Sequence, residues 1–430
     1  MKKSKLNYLL ASFLLALIVN LFYFNYQQAP IIHPDSDLYI RFAKSLNNFE
    51  LPDTAMRTFV YPLYLSFFTT NDNLKLATYG QIFIGAISIA ILFLIIKKLI
   101  GDMQISFWIA TIAGLDYHVA SYQSAILTET IAVLTMLIFI LVHLSASDRQ
   151  LTFKLTLLLF LTDLLLIFTR PNFIMLPISV YLYRIFSNRF IKQNQQTINK
   201  NMIIFLVGIG INLMAITSWS YLNWARYGFF GFSSTSDITV LGKIIDYGYI
   251  DTRLTFAPFP ADRVIAYIKG NPTVSNPYLV INALKSEGVY SFANIKKINR
   301  FFLQDKKIDF VVRGAVSLPL VFISPHNFDQ CNIYCGYIGD YYRWIINPIR
   351  YLGLLIFVGV AVRLSHYRKT LPAQSATIIL IAIFYTVSVS AWFSYIGPSR
   401  FLTSVFLEIN SLAILILLCL IPDLRKRLFK

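Results

Sequence analysis

The feature that most constrains this chain is a series of long apolar segments separated by short polar stretches. About 20 apolar residues make one helical crossing of a bilayer. Because no water inside the bilayer can satisfy backbone polar groups, each such segment must be helical. The sequence therefore predicts an all-α polytopic membrane protein with about ten transmembrane helices. The predicted spans are residues 6–26, 76–96, 104–120, 125–146, 154–169, 172–186, 202–222, 345–363, 375–393 and 401–421.

Composition excludes the main alternatives to a membrane protein. Hydrophobic residues make up 56% of the 430 residues and charged ones 14%, which is too apolar for a soluble domain of this length. The formal charge of +17 does not indicate a nucleic-acid partner, because Lys and Arg recur in short clusters between the apolar segments. The N-terminal sequence MKKSKLNYLLASFLLALIVNLFYF resembles a signal peptide, but its apolar run is about 20 residues long and no small-x-small cleavage site follows. We interpret it as a retained first transmembrane helix.

The basic clusters predict the orientation, because cytoplasmic loops carry an excess of Lys and Arg. The clusters are Lys2, Lys3 and Lys5; Lys97 and Lys98; Arg149 and Lys154; Arg184, Arg189, Lys192 and Lys200; Arg363, Arg368 and Lys369; and Arg425, Lys426, Arg427 and Lys430. With about ten spans they all fall on one side, so both termini are expected in the cytoplasm. The outer face then carries the loop with Asp35, the TRPN turn, the SYIGPSR segment and the long stretch after residue 222.

These spans divide the chain into three parts. Residues 1–222 form an N-terminal transmembrane region whose first external loop, 27–75, is expected to be catalytic; residues 223–343 form an external region; residues 344–430 form the C-terminal transmembrane helices. The external region is too long for an idle loop, and its sequence is typical of turns and short amphipathic helices. Its apolar end, VVRGAVSLPLVFI, predicts a short interfacial or re-entrant helix.

The external region also contains a close cysteine pair, Cys331 and Cys335. On an exported face this pair favours a local disulfide over the alternative of a metal site, since no second Cys pair or His pair accompanies it. Cys419 lies in the last span and is expected to pack there.

The first external loop begins with the sequence PDSD, which contains Asp35 and Asp37. Downstream, Leu38, Phe42, Ala43 and Leu46 recur at helical spacing, which predicts an amphipathic helix on the membrane surface. Asp37 or Ser36 is expected to cap the N-terminus of that helix. A cap leaves Asp35 unexplained, so we expect Asp35 to be functional.

Several motifs together resemble one family of membrane enzymes. They are the PDSD sequence followed by Tyr39 and RTFVYPLYLSFF, then LTETIAVLTMLIFIL, TRPNFIMLPISVYL, WARYGFFGFSSTSDITVLGK and PSRFLTSVFLEI. In this order the motifs resemble the GT-C membrane glycosyltransferases, and most closely the branch of the protein O-mannosyltransferases and the lipid A aminoarabinose transferase. One departure is that the family's loop after the seventh span often carries Arg-Asn, whereas here Asn223 precedes Arg226.

The resemblance implies an activity and a location. The protein is expected to take a sugar from a polyprenyl phosphate and to pass it, usually with inversion, to a glycan, lipid or protein acceptor on the outer face. Membrane lipids are then a further expected partner. The bacterial plasma membrane is the expected location, since the family is broadest there.

The chemistry then suggests roles for particular residues. The acceptor must lose a proton as it attacks, so a carboxylate has to lie within hydrogen-bond reach. Asp35 is the expected general base, and Glu129, an intramembrane carboxylate, is the second catalytic candidate. The leaving phosphate needs fixed cations. Residues expected to bind substrate are Asp37, Tyr39, Arg57, Arg170, Arg226 and Arg400. A divalent cation, Mg²⁺ or Mn²⁺, that joins Asp35 and Asp37 to the phosphate is an open alternative.

Other interpretations of these residues remain open. Arg170 and Arg400 lie at span ends, where Arg also extends to lipid headgroups. Asp163 and Glu408 lie deeper and are expected to form structural pairs. A transporter or flippase of lipid-linked sugars would use the embedded carboxylates as an ion relay, but the inverted or parallel repeats of that class are not visible in the sequence. An O-antigen polymerase or ligase also combines such spans with a large external loop and would depend on loop arginines.

The predicted orientation is tested with the variants Lys192→Cys and Asn271→Cys in a chain whose native cysteines are replaced by Ser. A membrane-impermeant maleimide applied to intact cells should label Asn271→Cys and leave Lys192→Cys unlabelled, because the basic clusters place residue 192 inside. Tags at either terminus should also be inaccessible from outside. External labelling at residue 192 would contradict the orientation.

Overall fold

The computed structural model describes residues 2–26, 30–69, 73–147, 151–188, 195–254, 256–274, 276–323 and 371–393, together with residues 348, 405, 407 and 409–411. Several positions singled out from the sequence lie outside these residues: Cys331, Cys335, Arg400, Glu408 and Cys419. The predicted spans 345–363 and 401–421 also lie almost wholly outside them.

The described chain is helical, and its β-type pairing is an isolated bridge between Ile31 and Ala125. The helices are α1 (Lys2–Tyr26), α2 (Ser36–Asn47), α3 (Val60–Thr69), α4 (Leu74–Ile100), α5 (Met103–Gly114), α6 (Tyr117–Ser121), α7 (Glu129–Ser147), α8 (Phe153–Thr169), α9 (Leu176–Asn188), α10 (Gln195–Tyr227), α11 (Thr235–Asp246), α12 (Ala261–Gly270), α13 (Pro277–Ser286), α14 (Phe292–Leu303), α15 (Lys307–Ile323) and α16 (Leu371–Phe393). Short 3₁₀ turns lie at Tyr122–Ser124 and Pro171–Phe173. The predicted all-α class is confirmed for the described residues.

Four helices in the described part of the chain are long and apolar enough to cross a membrane, namely α1, α4, α7 and α10. The ends of α4 show how the sequence sets such a span. The side chain of Asn73 accepts a hydrogen bond from the Leu76 amide and caps the first turn. Lys97 and Lys98 lie in the last turn, where cations complement the helix dipole. Gly101 follows with a φ of +84°, a left-handed conformation that only glycine adopts without strain.

Two neighbouring predicted spans, 104–120 and 125–146, are shorter in the structure at the ends that follow each other along the chain. The sequence predicts a span over 104–120, but α5 ends at Gly114, and α7 begins at Glu129 rather than at residue 125. The intervening residues form a short helix and an irregular segment. The buried amide of Gln81 on α4 holds this segment by donating to the carbonyls of Gln123 at 2.8 Å and Ala125 at 2.7 Å. Side-chain hydrogen bonds from a neighbouring helix thus replace helical ones here.

Helices α11–α14 of the external region share a hydrophobic core that includes Leu241, Val264, Val280 and Ile298. The short amphipathic helices expected in this stretch of the chain are therefore present. Helix α15 contains VVRGAVSLPLVFI and packs against α16. Gly314 lies against the indole of Trp392, where a Cβ atom would overlap the ring, and the indole Nε1 donates to the Val311 carbonyl at 3.0 Å.

A polar cluster lies buried between α7, α8, α9 and α10. His143 Nε2 lies 3.0 Å from Asp163 Oδ1, and both side chains are fully buried. The amide of Asn212 donates to Asp163 Oδ2 at 3.3 Å, and Arg184 donates to the His143 carbonyl. The structure thus gives Asp163 the partners that the sequence left unidentified, and it agrees with a structural pair. Because an unpaired charge in such a place is costly, the cluster fixes how these helices pack.

Asp163→Ala should lower the thermal unfolding midpoint of the protein in phospholipid nanodiscs, because it removes a buried hydrogen-bonded partner at a cost of about 3 kcal/mol. The matched control is Asp246→Ala, an exposed carboxylate at the end of α11, which should leave the midpoint unchanged. Equal midpoints for the wild type and Asp163→Ala would contradict the structural role.

Candidate active site

The position of Asp35 is set by backbone contacts between the first external loop and the segment before α7. The Ile31 amide donates to the Ser124 carbonyl at 2.8 Å, and the Ile126 amide donates back to the Ile31 carbonyl at 3.0 Å. The buried hydroxyl of Ser36 donates to the Ile126 carbonyl at 2.9 Å. These bonds join the start of α2 to the chain that leads into α7.

The expected capping of α2 by Asp37 or Ser36 is wrong. Asp35 occupies the N-cap position, and its side chain makes no capping hydrogen bond. The Ser36 hydroxyl accepts a hydrogen bond from the His33 amide and donates one to the Ile126 carbonyl. Both partners lie outside α2, so this hydroxyl does not cap the helix. Asp37 lies in the first turn with its side chain 67% exposed and forms an ion pair of 2.8 Å with Arg41. Only Asp35 of the pair therefore faces inward.

Arg57 connects the first external loop to the external region. Its Nη2 lies 2.7 Å from Asp35 Oδ1, and its Nη1 donates to the Thr235 hydroxyl at 3.4 Å. The guanidinium also lies 4.8 Å from the ring centroid of Tyr39, within cation–π range. The side chain of Arg57 is 10% exposed, against 30% for Asp35, so the ion pair is partly shielded from water.

The loop that carries Arg57, residues 51–58, is held through its backbone carbonyls. The Ser234 amide and hydroxyl donate to the Ala55 carbonyl at 2.7 and 3.0 Å, and Thr235 Oγ1 donates to the Met56 carbonyl at 2.9 Å. The Arg226 guanidinium donates to the carbonyls of residues 51 and 52 at 3.1 and 2.6 Å.

Asn223 holds the same loop through a hydrogen bond with the side chain of Thr54. Its buried amide oxygen accepts from the Thr54 hydroxyl at 2.7 Å, and its nitrogen donates to the carbonyls of Gly231 and Phe232 at 2.8 and 3.3 Å. Asn223 and Arg226 therefore both position the 51–58 loop.

Arg170 and Glu129 form the second ion pair of the site. Arg170 Nη2 lies 2.9 Å from Glu129 Oε1, with side-chain exposures of 7% and 0%. Arg170 follows the last residue of α8, and Glu129 is the first residue of α7. The Thr58 hydroxyl donates to the Thr169 carbonyl at 3.2 Å, which fixes the end of α8 against the 51–58 loop.

The two ion pairs meet at one cavity of about 620 Å³. Asp35, Tyr39, Arg57 and Arg170 all line it. Its other walls come from the TRPN turn, the start of α11, and Tyr385 on α16. The structure thus brings to one cavity four of the residues that the sequence suggested for the site, although they lie far apart along the chain.

The remaining expected site residues lie elsewhere. Asp37 is paired on the exposed side of α2, and Arg226 binds the 51–58 loop. Glu129 lies behind Arg170 rather than at the cavity surface. The geometry gives no support to a cation held jointly by Asp35 and Asp37, since their carboxylates take different partners, and the described residues contain no group of three or more potential metal ligands. The substrate-binding roles of Asp37 and Arg226, the catalytic role of Glu129 and the cation site stay predictions.

The structure adds cavity residues that the sequence did not single out. Thr235, Asp237 and Lys296 line the wall that belongs to the external region. The signal for the first two was available in the polar sequence SSTSD after the long span, but nothing in the sequence indicated that it contacts Arg57. Lys296 is one of several basic residues on α14, and its position became evident only from the packing of that helix.

Comparison with known proteins shows the fold. No family model matches the chain, and no curated protein sequence matches it. The structure is similar to that of the archaeal oligosaccharyltransferase AglB from Archaeoglobus fulgidus, solved with an inhibitory peptide and a dolichol-phosphate, with a TM-score of 0.51, 13% identity and coverage of 99% of this chain and 52% of that chain. ArnT from Cupriavidus metallidurans, bound to undecaprenyl phosphate, has a TM-score of 0.36 and 12% identity over 95% of this chain and 77% of that chain.

This chain spans about half the length of the oligosaccharyltransferase and shares its fold. This similarity concerns the fold alone, and it agrees with the fold that the resemblance in the sequence implied.

Asn223→Ala should loosen the 51–58 loop, because it removes three hydrogen bonds to Thr54, Gly231 and Phe232 and leaves buried polar atoms unpaired, at about 1–3 kcal/mol. Hydrogen–deuterium exchange of the peptide 51–58 should become faster. Asn271→Ala is the matched control, because Asn271 is exposed and bonds locally to the Tyr267 carbonyl. Unchanged exchange in Asn223→Ala would show that the loop is held without this residue.

Proposed function

We propose that this protein is an integral membrane glycosyltransferase, which moves a sugar from a polyprenyl-phosphate donor to an acceptor on the outer face of the membrane and inverts the anomeric centre. The observation that carries the proposal is that Asp35, Arg57 and Arg170 line one cavity. A carboxylate and two guanidinium groups are what proton removal from an acceptor and binding of a leaving phosphate require. The GT-C fold, and the dolichol-phosphate bound by the oligosaccharyltransferase that shares it, support the same donor class.

In this proposal the two arginines bind the donor phosphate. Arg forms paired hydrogen bonds to phosphate oxygens, and a water-poor cavity strengthens them. Both guanidinium groups are largely buried. Glu129 then acts behind Arg170: it fixes the direction of the guanidinium and balances its charge, instead of contacting substrate. This is a positioning role for the residue that the sequence suggested as a second catalytic carboxylate.

Asp35 acts as the general base. In the absence of substrate its carboxylate is paired with Arg57, which is a poor arrangement for accepting a proton because the guanidinium stabilises the anion. An incoming donor phosphate competes for the same guanidinium. Once the phosphate has taken that contact, the Asp35 carboxylate is available to accept the proton of the acceptor. Donor binding thus prepares the base.

The transporter alternative receives less support from these contacts. A relay of embedded carboxylates needs groups that can exchange ions in sequence. Asp163 instead lies in the fully buried cluster with His143, and Glu129 is paired with Arg170 near the cavity. An enzyme of the O-antigen polymerase or ligase type would use the same arginines, and it is distinguished by an activity that survives loss of Asp35.

The proposal is tested by incubating the purified protein with a panel of radiolabelled polyprenyl-phosphate sugars and measuring transfer or hydrolysis. The wild type should consume at least one donor. Asp35→Asn should lower the rate by about 10²–10⁴-fold, because the amide keeps the shape of the carboxylate but cannot accept the proton. Asp37→Asn, a matched change two residues away on the exposed side of α2, should stay active.

A full transfer rate in Asp35→Asn would show that the base assignment is wrong, and a wild type inert toward every donor would contradict the donor class. Parallel assays with and without a chelator test the divalent cation. Equal loss in both variants, together with metal dependence, would instead favour a metal-binding role for the pair.

A further inference from the structure

The part of the cavity wall that comes from α11 and α14 carries its own charged pair. Asp237 lies in the first turn of α11, and Lys296 lies on α14 of the external region. Both line the cavity, together with Ser236 and Thr239. None of these residues has a part in the proposed handling of the phosphate or of the proton. They form what we call the Asp237–Lys296 site.

The Asp237–Lys296 site is held in place by neighbouring groups. The Asp237 amide donates to the Ser234 carbonyl at 3.0 Å, and the Asn299 side chain donates to the Asp237 carbonyl at 2.7 Å. The Lys296 ammonium donates to the Phe230 carbonyl at 3.2 Å and lies 5.7 Å from the ring centroid of Phe229. Ser234 is the residue that fastens the 51–58 loop, so the site is connected to the position of Arg57.

Asp237 and Lys296 carry opposite charges and line the same cavity. The charge of Lys296 acts on Asp237, while the hydrogen bond of the Lys296 ammonium goes to the Phe230 carbonyl. Burial raises the pKa of Asp237, while the charge of Lys296 and a hydrogen bond from Asn299 oppose the rise. Both charged residues line the cavity, where a ligand can reach them.

The chemistry of this pair restricts the ligand. An ionised carboxylate only accepts hydrogen bonds, and an ammonium only donates them. A second phosphate or another anion is repelled by Asp237, and a cationic acceptor is repelled by Lys296 and by the two arginines of the cavity. A hydroxyl both donates and accepts. Neighbouring hydroxyls on a neutral molecule therefore satisfy both charged groups, and the hydroxyls of Ser236 and Thr239 add further partners.

We propose that the Asp237–Lys296 site binds the acceptor, and that the acceptor is a neutral polyhydroxylated molecule, a carbohydrate. This rests on the proposed glycosyl transfer and specifies its acceptor class. In the transfer step an acceptor hydroxyl oxygen forms the new bond to the anomeric carbon and the bond from that carbon to the phosphate oxygen breaks. The electron pair leaves with the phosphate, and the hydroxyl proton passes to Asp35. Asp237 holds a different hydroxyl of the same acceptor and so orients the attacking one.

The experiment uses the whole protein in phospholipid nanodiscs, so that no glycosidic detergent competes. The probes are undecaprenyl phosphate for the donor end and a panel of methyl glycosides for the acceptor end, with a Ser/Thr peptide as the comparison acceptor. Saturation-transfer NMR reports glycoside and peptide contact, and tryptophan fluorescence reports undecaprenyl phosphate binding. Wild-type protein should bind undecaprenyl phosphate and at least one methyl glycoside.

Asp237→Asn and Lys296→Met should each weaken glycoside binding by about tenfold, because a charge-assisted hydrogen bond is lost, and should leave undecaprenyl phosphate binding unchanged. The matched controls are Asp246→Asn on the same helix as Asp237 and Lys297→Met next to Lys296, which should bind glycosides as the wild type does. Lys296 and Lys297 are both exposed, so the Lys296→Met arm does not depend on tolerance of a change at Asp237.

Each other outcome is decisive. Undecaprenyl phosphate binding without glycoside binding, or peptide binding in place of glycoside binding, overturns the carbohydrate acceptor. Glycoside binding that survives both Asp237→Asn and Lys296→Met overturns the site. Failure of the wild type to bind undecaprenyl phosphate is the separate result that contradicts the proposed donor, and it is read from its own arm of the experiment.

Discussion

The site depends on the contacts that the guanidinium of Arg57 makes. It contacts Asp35 of the first external loop, Thr235 of the external region and the ring of Tyr39. A planar group with several fixed donors can join three such partners at once, which the single ammonium of a lysine cannot do with the same directionality. The 27–75 loop and the start of α11 meet at this residue, and residues of both line the cavity.

Much of this arrangement was predictable from the sequence. Helix α8, for example, follows the predicted span 154–169 closely. Asp35, Arg57 and Arg170 could be singled out because charged residues next to apolar segments are costly, and the structure places all three at one cavity.

Other features depend on contacts that local pattern does not encode. Asp35 and Arg57 are 22 residues apart, Arg170 and Glu129 are 41 apart, and Arg57 and Thr235 are 178 apart. A sequence gives the character of each residue but not which of many polar residues will become its partner. The capping of α2 illustrates this: Ser36 is a good capping residue by type, yet its hydroxyl is taken by the Ile126 carbonyl, 90 residues away. Lys296 was missed for the same reason.

The way in which the 51–58 loop is held has a consequence for sequence drift. Most of its anchoring bonds end on main-chain carbonyls, at Leu51, Pro52, Ala55 and Met56. A main-chain carbonyl is present whatever the side chain. Leu51, one of these four residues, is 76% exposed. Substitutions at these four positions can therefore accumulate while the carbonyls still accept hydrogen bonds from Arg226, Ser234 and Thr235. The donors have no such freedom. The conformation of such a loop can be kept while the residues at the acceptor positions change. The constraint on the sequence then falls mainly on the residues that donate the hydrogen bonds, within 223–235.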